Sequence, residues 1–229
     1  DIDGRLFNFP YLGIETVIGN VAKFDVTAAR LFTRPLAWMD APLLPALQIG
    51  ATVAADTNPF LHTVRDPDSD FTDANTPDDS VTMFGFDTLL PIFSNNIASM
   101  ATYADIAFQN GKTGGMVGAG GRLIGIFVYS AQIRAFQDNF VPNYFDYSYD
   151  RRRAERYYYF QDDVSGYTDI VGAGTLEERA GHVGWLTTLG LAVLQDLLCF
   201  NVTLSGPFTG TDGVTPELIA QANIDEGVI

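Results

Sequence analysis

The side chains with chemistry to offer fall into three groups. In the first, Asp66, Asp68 and Asp70 alternate through Asp66-Pro67-Asp68-Ser69-Asp70, and Asp73, Asp78 and Asp79 follow. Carboxylates at alternate positions of a tight turn are how hard cations collect oxygen ligands. A helix-loop-helix calcium site is excluded, because the position that needs glycine is Phe71 and the one that needs a bidentate glutamate is Pro77. A loose cation contact and a solvated acidic loop remain. In the second group, Arg151, Arg152, Arg153 and Arg156 run into Tyr157, Tyr158 and Tyr159. Guanidinium forks grip phosphate, and Tyr with Arg suits a membrane interface, so these four arginines are candidates for lipid or anion contact. Asp146, Asp150, Glu155, Asp162 and Asp163 offer the alternative of a self-paired loop.

The third group is Glu15, Arg30, Asp105, Arg122, Gln132 and Arg134, which stand inside segments of alternating polarity. If those segments are strands of a membrane barrel, a charge turned to lipid is costly, so these residues should face the lumen. There they either set solute selectivity or fill a narrow barrel as satisfied pairs.

Nothing specifies a reaction. Covalent catalysis needs a nucleophile beside a base, and the only histidines, His62 and His182, lie in no motif. GxSxG, HExxH and GxxxxGK[ST] are absent, and Gly118-Ala119-Gly120-Gly121 fails the dinucleotide pattern because position 123 is Leu. Cys199 is the single cysteine, which rules out an internal disulfide and reads as a small filler. The expectation is no enzyme, no metal and no cofactor.

Parity along the chain indicates what positions these residues. From 98 to 109, Met100, Thr102, Ala104, Ile106 and Phe108 share one face, and Ser99, Tyr103, Asp105 and Gln109 share the other. The same alternation predicts strands over 127–135, over the glycine-rich 114–125, and over 47–55, 184–193 and 198–205. Weaker strands are expected at Leu12 to Ile18, Ala22 to Ala28, Phe84 to Ile92 and Leu218 to Ile224. That makes about ten strands of roughly ten residues, enough to cross a bilayer at a tilt. Tyr147 to Phe160 is charged enough for a short exposed helix or folded loop outside the wall, and Thr57–Ser80 and Pro142–Ala180 read as long polar loops.

Composition agrees. Of the 229 residues 47% are hydrophobic and only 18% charged, below the roughly 25% of soluble domains. No apolar run reaches the length of a spanning helix, so strands must do any crossing. A net charge of −15 argues against nucleic acid. A soluble barrel produces the same alternation with its apolar face inward, but its water-exposed face should carry Lys, Glu and Arg. Here the second face carries Gly, Ala, Ser, Thr, Asn and Gln.

The stretch from Gly114 to Phe160, with the Gly-rich strand, Gln132 and Arg134, the Asn139-Phe140-Val141-Pro142 turn and Tyr144-Phe145-Asp146, resembles a group of sequence-predicted outer-membrane β-barrel proteins of spirochaetes. Gly184 to Phe208 resembles a neighbouring hairpin in such barrels. The resemblance implies a barrel fold in a bacterial outer membrane and transfers no catalytic residue. It also implies an aromatic last residue, whereas Glu226-Gly227-Val228-Ile229 ends this sequence, so a piece of a larger barrel is expected. The reading is all-β: one domain over 1–229, an antiparallel up-and-down transmembrane barrel contacting membrane lipid, acting as a passive channel or structural component. A soluble barrel carrying an apolar small molecule is the rival, and a lipid-acting barrel enzyme the third reading.

Overall fold

The computed structural model describes residues 2–8 (as backbone), 11–18, 25–60, 80–145, 149–161, 178–193, 198–208 and 215–224. His62, the acidic run from Asp66 to Asp79, and Asp146, Asp162 and Asp163 lie outside the described residues, as do the side chains of Asp150 and Arg151.

Alternation produces strands here because each residue pair sends one side chain to either face. The strands are β1 (Ile2–Asn8), β2 (Leu12–Ile18), β3 (Val26–Thr33), β4 (Gln48–Asp56), β5 (Val81–Ser94), β6 (Ala98–Gln109), β7 (Lys112–Leu123), β8 (Phe127–Phe136), β9 (His182–Val193), β10 (Leu198–Pro207) and β11 (Glu217–Ile224). They form one eleven-stranded sheet in chain order, every neighbouring pair antiparallel. Among the described residues no pairing joins β1 to β11, so the sheet has two edges, and its first and last strands run in the same direction.

Two turns show how tightly the meander is wound. Asn110 and Gly111 both have positive φ, 44° and 78°, the geometry that matches the right-handed twist of a two-residue hairpin. The β7–β8 turn repeats it with Ile124 at 43° and Gly125 at 74°, a left-handed conformation that costs a β-branched residue about 1 kcal/mol or more. At one end of the sheet emerge the long connections 57–80 and 137–181 and the tight Asn110-Gly111 turn. At the other end the connections 9–11, 95–97, 124–126 and 194–197 are short, with 34–47 the exception.

The register separates two faces. On the open face stand Leu31, Val53, Phe84, Phe86, Ile106, Val117, Ile133, Leu189, Phe200 and Leu204, all exposed. The other face is small and polar, and α1 (Tyr149–Gln161) packs against it at the long-loop end, on Val81 and Met83. The expected exposed helix is therefore a buried one: Tyr157, Tyr158, Tyr159 and Phe160 are each 7% exposed or less. Arg153 and Arg156 are buried with it, at 4% exposed each, while Arg152 stays at the surface. Two further differences concern strands. β1 adds an eleventh, and β3 starts at Val26, after Asp25, instead of spanning 22–28.

Candidate functional site

Glu15, Asp105, Arg122, Gln132 and Arg134 all fall on the helix-side face. Pairing carries Glu15 across to Arg30; Asp87, Asp105, Met116 and Arg134 form one row; and Leu89, Tyr103, Gly118 and Gln132 form the next. Arg122 lies one row from the short-turn end, its guanidinium 3.3 Å from the Gly125 carbonyl. These five residues share a face without sharing a cluster.

Arg30 is the cation of a triad. Its Nη1 donates to Glu15 at 3.0 Å, and its Nε and Nη2 donate to the two carboxylate oxygens of Asp87 at 3.0 and 2.5 Å. The fork spans β4, and Gly50 leaves it room: a Cβ there would stand 2.3 Å from an Asp87 oxygen.

A second charged network docks α1. Arg153, 4% exposed, donates to Asp25 at 2.9 Å and lies 3.9 Å from Asp56. Asp56 in turn accepts from the Tyr149 hydroxyl at 2.5 Å and from the Asn58 amide at 2.7 Å. Burial opposes ionisation of Asp25, but the hydrogen bond and charge of Arg153 outweigh it and hold the carboxyl below its ordinary range. Burial pushes the phenols of Tyr144 and Tyr149 far above theirs. Arg156 donates to the carbonyls of Asn143 and Tyr144, while Arg152 pairs with Glu155 on the exposed side. Arg153 and Arg156, candidates for lipid or anion contact or else for pairing within the chain, are thus buried and engaged with carboxylates and carbonyls of the chain itself.

The last turn of α1 is held from the hairpin below. Lys112 Nζ donates to the carbonyls of Tyr159 and Phe160, and Asn110 Nδ2 to Phe160 at 2.9 Å. A cation on these orphan carbonyls is where the helix dipole favours one. Gln109 straps the preceding loop by exchanging two hydrogen bonds with the Val141 backbone, 2.7 and 3.0 Å. Asp25, Asp56, Gln109 and Lys112 carry no local signal for this task, since the contacts by which they hold α1 and its preceding loop reach residues distant in sequence.

Beside α1 lies a cavity of about 520 Å³, walled by β8, β9, the start of β11 and the residues preceding β9. Arg134, Phe136, Phe140, Arg179 and His182 line it. Among the described residues no cluster of His, Cys, Asp and Glu has the arrangement of a metal site. Among the described residues no hydroxyl or thiol hydrogen-bonds His182: its Nδ1 lies 3.4 Å from the Ala180 carbonyl, and its ring meets Phe136 edge-on. Comparison with family models, with characterised proteins and with solved structures finds no match.

Proposed function

We propose that this chain is the wall of a bacterial outer-membrane β-barrel, a non-enzymatic protein that acts as a passive channel or structural component, with α1 plugging one mouth. The open face carries the reading. It presents large apolar side chains strand after strand, Phe84 at 55%, Ile133 at 50% and Leu189 at 63% exposed, and water does not sustain a continuous apolar surface of that extent. An apolar groove of about 680 Å³ runs along it between Leu123, Phe127, Leu189, Leu191, Phe200 and Val202, a surface suited to acyl chains. The helix-side face, with Gly, Ser, Thr and the Arg30 triad, has the composition of a lumen. The soluble carrier would need Phe200, Leu204 and Ile133 packed in an interior, and all three are exposed.

In this reading strands β5 to β9, ten to fourteen residues long, cross the hydrocarbon, and Glu15, Asp105, Arg122, Gln132 and Arg134 face the lumen. Flotation with phospholipid vesicles tests it. The folded protein should rise with the vesicles and resist alkaline carbonate extraction. A monodisperse folded protein in detergent-free buffer that stays at the bottom of the gradient would sink the reading.

A further inference from the structure

We propose that the cavity beside α1 binds a small planar organic carboxylate, with Arg134 as its anchor and the Phe136–Phe140 pair as its shelf. Arg134 differs from the other internal arginines. Arg30, Arg153 and Arg156 each donate to carboxylates or carbonyls of the chain. Arg134 lies over the Phe136 ring, 5.5 Å from its centroid, and among the described residues it makes no hydrogen bond or ion pair. Glu217 attracts it electrostatically from the start of β11 without coming within bonding distance. A half-buried guanidinium with uncommitted donors is an incomplete arrangement. Its fork complements a carboxylate with two parallel hydrogen bonds.

The walls select what that carboxylate is attached to. Phe136 and Phe140 stack offset, centroids 5.3 Å apart and planes 7° from parallel, and together they give the cavity an aromatic wall against which a flat apolar body can pack. Gly114 keeps the shelf in place, since a Cβ there would meet the Phe140 ring at 2.3 Å. On the opposite side Arg179 caps Tyr159, 4.5 Å above its ring, and holds Glu155 only at 3.7 Å. The volume lies in the range of small-molecule sites. Glu178 and Glu217 also line the cavity, so a monoanion with an apolar body is tolerated where a phosphate dianion is repelled. None of this depends on which medium covers the open face.

The test is a titration of the purified full chain, in detergent micelles or in plain buffer according to how it partitions, with 4-fluorobenzoate followed by ¹⁹F NMR. Inorganic phosphate serves as the second probe. Saturable binding, displaced by benzoate and far less by phosphate, is expected. Arg134→Gln should weaken it about ten- to a hundredfold, the span of a charged hydrogen-bonded contact. Arg134→Lys keeps the charge and, with it, the folded wall, but loses the fork and should also weaken binding. Arg122→Gln, at the other end of the same face, should leave it unchanged. Absence of saturable binding by the folded wild type, equal binding of phosphate, or Arg134→Lys binding as well as wild type would overturn the proposal. Vesicle flotation of the same sample reports separately on the membrane reading.

Discussion

Placing an arginine at Leu189 asks the open face directly which medium it meets. β9 has 12 residues, Leu189 stands 7 after its first and 4 before its last, and its side chain is 63% exposed. At about 3.3 Å per residue and a tilt of about 40°, such a strand rises roughly 30 Å, close to the thickness of the hydrocarbon, and Leu189 comes within roughly 4 Å of its middle. An arginine facing lipid at that depth costs about 2–4 kcal/mol. In water the same change at so exposed a site falls within about 0.5 kcal/mol of neutral. The two media therefore differ by about thirtyfold to several-hundredfold in the folding equilibrium. The measurement is a urea titration of protein refolded into phospholipid vesicles, wild type against Leu189→Arg, with Thr188→Arg on the helix-side face as the comparison. We expect Leu189→Arg to lose the full amount and Thr188→Arg much less. A Leu189→Arg midpoint equal to wild type would refute the assignment of this face to lipid, and with it the barrel reading.

Three further outcomes follow from the packing. Arg153→Met removes the cation between Asp25 and Asp56, both fully enclosed, and should undock α1 at a cost of about 3–5 kcal/mol, seen as lost hydrogen-exchange protection at Tyr157–Phe160; Arg152→Met, in an exposed pair with Glu155, should leave that protection intact. Ile124→Asn places at φ 43° a residue that tolerates the left-handed region, and should raise stability by about 1 kcal/mol in denaturant titration. The docked helix should also respond to pH at both extremes. Asp25 has a folded-state pKa below its ordinary value, so its contribution is complete above about pH 4 and fades as pH falls through the lowered value. Tyr149 is raised, so its contribution is complete below about pH 10 and fades as pH climbs. Near-UV circular dichroism from the tyrosine cluster should therefore change toward acid and toward alkali, and a signal unchanged at both extremes would contradict this account.

Alternation makes most of the sheet legible. The expected strand over 98–109 is β6 to the residue, and Leu12 to Ile18 is β2. It failed where the two faces differ little. In β1 the string IDGRLFN mixes Asp3, Arg5 and Phe7 on one parity, and the backbone pairing with β2 shifts register between Arg5 and Phe7. In β3 the consecutive Ala28 and Ala29 blur the contrast. The burial of α1 is illegible for a different reason. DRRRAER reads as a solvated face, because the acceptor for Arg153 is Asp25, 128 residues earlier. Local sequence carries charge but not the address of its partner. The shared face of Glu15, Asp105, Arg122, Gln132 and Arg134 followed from parity alone. The uncommitted state of Arg134 did not, since it depends on what Arg179, Phe140 and Glu217 bring alongside.

The direction of the outermost strands fixes the arithmetic of any closure. With eleven strands alternating up and down, β1 and β11 carry the same polarity, so laying one directly on the other gives a parallel seam with slanted hydrogen bonds. An antiparallel seal instead takes an insert with an odd number of strands, a lone strand being the smallest, because a hairpin meets one border head-to-tail correctly and the other wrongly. If the sheet closes in hydrocarbon, where each unsealed peptide group is penalised by several kcal/mol, parity decides which partners can complete the ring.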